Sequence, residues 1–180
     1  MGPVTARAAT IEDTEAIARV HARSWQRAYR GIVGDGFLDG LSDQVWVERW
    51  RTIFTDPQEG VRTLVWDDGG EVTGFARIGP VRDPDPPAPG WDEVYAIYLD
   101  PRCWDRGAGS GLLVAALGTV ADDVPGVSLW VFRDNARARA FYERHGFEVD
   151  GLAQEITIDG QAVPEVRYRR LSAGWTTMTR

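Results

Sequence analysis

The run Arg106-Gly107-Ala108-Gly109-Ser110-Gly111 constrains this chain more than any other stretch. Three glycines alternate between a strand-like segment, residues 93–99, and an apolar helix-like segment opening at Leu112. Backbone N–H groups at a helix start, with few Cβ atoms in the way, form a ready site for phosphate. A nucleotide P-loop is excluded, because no lysine stands near Gly111. A dinucleotide fingerprint is excluded too: the glycines are spaced by two, and the turn comes late in the chain.

The flanking pattern supplies the elements around this turn. Residues 4–9 read as a short strand, and Thr10 with Asp13 as a capping pair for a helix over 11–29. His21, Trp25 and Tyr29 recur every four residues and form one stripe of that helix. Glycines at 31, 34, 36 and 40 predict a loop, and Ser42 opens a second helix over 43–54. Residues 61–67 and 71–81 read as a hairpin across Asp67-Asp68-Gly69-Gly70. Five prolines between positions 80 and 89 exclude helix and central strand there, leaving a stiff surface loop. After the glycine turn come an apolar helix, a buried strand at 127–132, and a helix at 136–145 stopped by Gly146. A last hairpin, 147–158 and 162–170, turns at Asp159-Gly160. With no repeat or linker, one α+β domain over 1–180 around a mixed sheet is expected.

Charge and cysteine usage narrow the function. The chain has 180 residues and a formal net charge of −7, which disfavours nucleic acid as a partner. That balance suits a cationic substrate, as well as simple solubility. Cys103 is the single cysteine, so no internal disulfide forms, consistent with a reducing cytoplasm. The longest apolar run, 111–121, is too short to span a bilayer, and no membrane association is expected. His21 and His145 have no partners at metal-ligand spacing, so no metal is expected.

Two linked motifs carry a resemblance. Arg106-x-x-Gly109-x-Gly111 follows a strand ending Leu99-Asp100-Pro101. Asn135-x-x-Ala138-x-x-x-Tyr142-x-x-x-Gly146-Phe147 then follows the next strand. Together they resemble the GNAT superfamily of N-acetyltransferases over about 93–151. The resemblance implies a twisted, mostly antiparallel sheet with helices on both faces and one parallel strand pair splayed at its C-terminal ends. It also implies acetyl-CoA as cosubstrate. Arg106, Gly107, Ala108, Gly109, Ser110 and Gly111 would hold its diphosphate. Backbone groups of Ile97, Tyr98 and Leu99 would bind the pantetheine arm, with the Leu99 N–H polarising the thioester carbonyl. Asn135 would bond the arm, and Tyr142, a phenol of ordinary pKa, would protonate the thiolate.

Amine acetylation also needs a proton acceptor. Glu93 is the first candidate, since strand alternation sets it on the same face as Tyr95, Ile97 and Leu99; a plain solvated carboxylate is the competing reading. Asn135, Arg139 and Tyr142, spaced four and three apart, are expected to share one helix face. For the acceptor, Trp25, Tyr29, Trp46 and Trp50 offer aromatic faces, and Asp92, Glu155 and Glu165 offer anions. Trp25, Tyr29 and Glu93 are the preferred acceptor-binding residues; core packing is the rival role for the aromatic cluster. The expected function is direct acetyl transfer to a primary amine of a small molecule. The alternatives are a protein N-terminal or lysine acetyltransferase and a non-catalytic acyl-CoA sensor. Family members are often dimers, so a homodimer is a possible partner state.

Overall fold

The computed structural model describes residues 4–87 and 89–172. Readings that touch residues 1–3 or the tail beyond 172 lie outside them. Seven strands form one sheet in the order β1-β2-β3-β4-β5-β7-β6. They are β1 (Val4–Ala8), β2 (Arg62–Asp68), β3 (Glu71–Pro80), β4 (Asp92–Leu99), β5 (Gly126–Phe132), β6 (Glu148–Ile158) and β7 (Gln161–Leu171). Every neighbouring pair is antiparallel except β4–β5. The helices are α1 (Thr14–Ala28), α2 (Asp35–Gly40), α3 (Asp43–Thr55), α4 (Ala108–Leu117) and α5 (Ala136–Arg144).

Strand alternation feeds two cores. On one face Leu112, Leu113 and Ala116 of α4 and Tyr142 of α5 pack on Leu64, Ala76, Val94, Leu129 and Tyr168. On the other, Ile17 and Ala18 of α1 and Trp46 and Trp50 of α3 cover Val65, Val72 and Phe75. This is the expected α+β architecture, with helices on both faces of a mostly antiparallel sheet.

The segment expected as a loop at 34–40 contains the helix α2. Its glycines disfavour helix. Leu38, however, is fully buried beside Tyr29 and Phe132, and Arg30 bonds Asp39 across the turn at 2.5 Å. Tertiary burial overrides the local preference. Beyond Pro80, the last residue of β3, the proline-rich segment has no helix or strand among its described residues, and Arg167 of β7 ties it down. That guanidinium bonds Asp83 at 2.9 Å and the Asp85 carbonyl. All three ionic partners, Arg167, Asp83 and Asp150, have side chains at most 7% exposed.

The second departure concerns β4. Arg77 pairs with Ala96 and Ile78 with Val94, so Tyr95 is an extra, bulged residue. A bulge resets alternation. Val94, Ile97 and Leu99 therefore face α4, whereas Ala96 and Tyr98 face α1 and α3. Glu93, next to Val94, lies on the α1 face with Tyr98. The expectation that Glu93 shares a face with Ile97 and Leu99 is corrected: alternation was counted through a bulge.

Candidate active site

The sheet opens where its parallel pair fails. β4 and β5 pair only at Asp92–Val127 and Glu93–Ser128; beyond that point they diverge. A cleft of about 1010 Å³ fills the gap. Its walls come from α1, β4, the start of α4, β5, α5 and the β6–β7 hairpin.

At one end stands the glycine turn. Gly107 caps α4 with φ of 84°, a left-handed conformation that favours glycine. The first-turn N–H groups of Ala108, Gly109 and Ser110 have no carbonyl before them in the helix, and the positive end of the helix dipole lies there. The Gly111 N–H, by contrast, already donates to Gly107 O at 3.0 Å. A Cβ on Gly111 would lie 2.5 Å from the Trp66 ring on β2. Gly111 thus seats the helix on the sheet and does not face the cleft. Arg106 and Ala108 side chains are also outside the cleft lining, while Gly107, Gly109 and Ser110 belong to it. Trp104 and Arg137 are among the lining residues that went unread in the sequence. Trp104 lies under the Arg137 guanidinium, 4.4 Å from the ring centre, and Arg137 also bonds Asp105 at 2.9 Å. The Trp-Asp pair just before the turn is the only signal that marks them.

The C-terminal end of β4 is held from outside the sheet. The Leu99 carbonyl accepts from Ser24 Oγ at 2.6 Å and from Trp104 Nε1 at 3.0 Å. The Asp100 N–H donates to Thr73 O on β3 at 2.8 Å. Backbone groups alternate edges along a strand. The N–H of Leu99 and the backbone of Ile97 therefore point the other way, into the gap toward β5. The Tyr98 side chain turns to α1, its hydroxyl 2.8 Å from that of Tyr29. Asp100 locks this corner. Burial alone raises its carboxyl, but hydrogen bonds from Arg102 and Arg23 outweigh that and bring it to about 2.

Tyr142 and Asn135 both line the cleft from α5. The Asn135 Oδ1 accepts from Ala138 N–H at 3.1 Å as the helix N-cap, which leaves its amide NH₂ for other partners. The Tyr142 ring, 8% exposed, packs edge-on to Phe141 and Phe147. Burial pushes its phenol well above the ordinary value, and Tyr98 adds to the rise, so the expected unperturbed phenol is corrected. Arg139 does not join them. It turns away to the Tyr168 hydroxyl at 3.0 Å and the Arg133 carbonyl at 3.1 Å.

At the opposite end stand Trp25, Tyr29, Glu93, Trp130, Phe132 and Glu165. Glu93 is 4% exposed, and both its oxygens are engaged by Arg82. Trp46 and Trp50 are core residues. They enclose His21, whose Nδ1 accepts from Trp50 Nε1 at 3.3 Å and whose ring stacks on Trp46 at 3.5 Å. Burial first, and Arg49 second, lower the His21 imidazole to about 3, so it is neutral. Of the three candidate anions, Asp92 is paired to Arg62 and Glu155 lies outside the cleft. Glu165 lies in it. Burial raises its carboxyl, Gln154 lowers it in part by donating a hydrogen bond, and the Glu93 charge raises it further. Among the described residues, no three His, Cys, Asp or Glu side chains group as metal ligands, and no helix is long and apolar enough to cross a membrane.

The acetyltransferase (GNAT) family model matches residues 20–147. An uncharacterized N-acetyltransferase YuaI of Bacillus subtilis is 30% identical, over 98% of this chain and 95% of its own. The L-amino acid N-acetyltransferase AaaT of Escherichia coli is 27% identical, over 88% of this chain and 91% of its own. Among solved structures, PaiA N-acetyltransferase of Thermoplasma acidophilum in complex with coenzyme A superposes with a TM-score of 0.72. It covers 95% of this chain and 100% of its own at 19% identity, a likeness of fold.

Proposed function

Because the chain belongs to the acetyltransferase (GNAT) family, we propose that it moves the acetyl group of acetyl-CoA directly to a primary amine of a small molecule. The observation that carries this reading is the two-rung β4–β5 pair with strand backbone facing the gap. The residues present fit the cosubstrate. Unpartnered N–H groups at the start of α4 suit a diphosphate, and the open edge of β4 suits an arm laid in as an added strand. When bound, acetyl-CoA supplies an activated thioester.

The chain's own groups would then act as follows. The N–H groups of Ala108, Gly109 and Ser110 hold the diphosphate, with Gly107 shaping the turn. Ile97 and Leu99 align the arm through their backbone, and the Leu99 N–H donates to the thioester carbonyl oxygen. Ser24 and Trp104 fix the following peptide through the Leu99 carbonyl. Asn135 donates its amide to the arm. Tyr142 carries the proton that the departing sulfur needs, and its raised pKa keeps it protonated at working pH. Glu93 is the candidate for the amine's proton, on the acceptor face with Tyr98. The aromatic walls at that end favour a small molecule over a protein chain, and the E. coli relative is named for amino acids. A single half-buried cysteine and the use of acetyl-CoA favour the cytoplasm.

Isothermal titration with coenzyme A tests the donor half. Binding is expected, and none at millimolar concentration ends the reading. Thiol release from acetyl-CoA across an amine panel tests the acceptor half; tight binding with no transfer would favour a sensor module.

A further inference from the structure

The acceptor end holds one carboxylate that no cation answers among the described residues. Glu165 lies on β7 between Phe132 and Gln154, its register partners on either side. Alternation along β7 sets it on the α1 face with Val163 and Arg167, while Val166 and Tyr168 face α4 and α5. Gln154 Nε2 donates to its Oε2 at 2.9 Å. Among the described residues nothing donates to Oε1.

Two nearby guanidinium groups, Arg82 and Arg167, are committed elsewhere. Arg82 is bonded to Glu93 through side chain and backbone. Arg167 is shared between Asp83 and Asp150. Arg27 and Arg144 also line the cleft, and among the described residues neither forms an ion pair with Glu165 or any other carboxylate. Glu165 thus sits half-buried and uncompensated beside Phe132, whose ring packs 4.6 Å from that of Tyr29. A half-buried carboxylate of this kind is stabilised by a cation that brings its own apolar body.

We infer that Glu165 is the anchor for the acceptor's ammonium, and that the acceptor is a primary alkyl- or arylalkylamine whose apolar body packs beside Phe132. The first half follows from the free Oε1 in an aromatic wall. The second follows from the Phe132 and Tyr29 rings beside that oxygen, which favour an ammonium that brings its own apolar body. The inference rests on the acetyl-transfer reading for the name acceptor, but amine binding itself does not need transfer.

Phenethylamine and ethylamine are a matched pair of probes, the same primary ammonium with and without the aromatic body. Each is titrated calorimetrically into the full chain, with and without coenzyme A. Phenethylamine is expected to bind at least about tenfold more tightly than ethylamine. Glu165→Gln is expected to lose at least about tenfold in phenethylamine affinity, and Glu165→Asp to retain part of it. Unchanged coenzyme A affinity and circular dichroism show that the variants fold. Ethylamine binding as tightly as phenethylamine, equal phenethylamine affinity of wild type and Glu165→Gln, or no phenethylamine binding by wild type each overturns the inference. Failure to bind coenzyme A overturns the acetyl-transfer reading alone, because the amine titrations still report on Glu165.

Discussion

Arg82 grips Glu93 at both oxygens: its backbone N–H donates to Oε2 at 2.9 Å and its guanidinium to Oε1 at 2.6 Å. The same guanidinium lies 3.7 Å from the centre of the Tyr95 ring. A residue of the proline-rich loop therefore controls the carboxylate proposed as base. Arg82→Ala removes one charged donor from a buried acceptor, a loss of about 1–3 kcal/mol. Denaturant unfolding measures it. For Glu93→Gln we expect turnover to fall about 100-fold or more with acetyl-CoA affinity unchanged. Unchanged turnover would remove Glu93 from proton transfer.

Tyr142→Phe deletes a proton donor while keeping the ring that Phe141 and Phe147 pack against. We expect turnover to drop by about 10²–10⁴-fold. Coenzyme A affinity and melting temperature should change little. Since burial holds the phenol above its ordinary value, the wild-type rate should show no loss from Tyr142 ionisation up to at least pH 10. Steady-state rates from neutral to alkaline pH decide both points.

Two glycines of the turn should fail for different reasons. In Gly111→Ala the new methyl meets the Trp66 ring at 2.5 Å, an overpacking cost of about 1–3 kcal/mol. Adding Trp66→Leu should restore part of it. In Gly107→Ala the methyl has open space, but φ of 84° strains any L side chain by about 1–2 kcal/mol. Trp66→Leu should not rescue that variant. Thermal melts of the four proteins separate clash from strain.

His21 sets an acid limit on stability. Its imidazole is lowered from 6.5 to about 3, so the folded chain stays neutral there while the unfolded chain takes up a proton. The unfolded state binds more protons across that window. Stability is therefore full above pH 6.5 and falls as pH drops, by about 1.4 kcal/mol per pH unit. Asp100, lowered from 3.8 to about 2, adds a loss of the same sign, but only below pH 3.8. Urea unfolding at pH 7, 6 and 5 should show the His21 slope, and His21→Gln should flatten it.

Most elements were legible because spacing and turn residues agree locally. Asp159 and Gly160 both adopt positive φ at the last hairpin, as their pairing predicts, and Asn135 caps α5. What escaped depends on contacts distant in sequence. Leu38 makes α2 helical through a core that Tyr29 and Phe132 complete. The bulge at Tyr95 leaves no trace in composition, yet it decides which side of the sheet Glu93 faces. Likewise, Ser24 reads as an ordinary helix residue until it meets the Leu99 carbonyl 75 positions away. Gly111 matched its motif but serves packing, because periodicity cannot tell a glycine that admits a ligand from one that admits a tryptophan.

The two rungs between β4 and β5 have a mechanical consequence. The sheet is two plates, β1–β4 and β5–β7, stitched at one corner through Asp92 and Glu93. Along the rest of that seam no backbone bond resists shear. A strand-like guest would act as mortar, joining plates that otherwise lean on their helices and on the bonds of Arg167 and Trp130 to the loop after β3. Amide exchange along the seam should therefore slow when the guest is present, even far from the atoms that react.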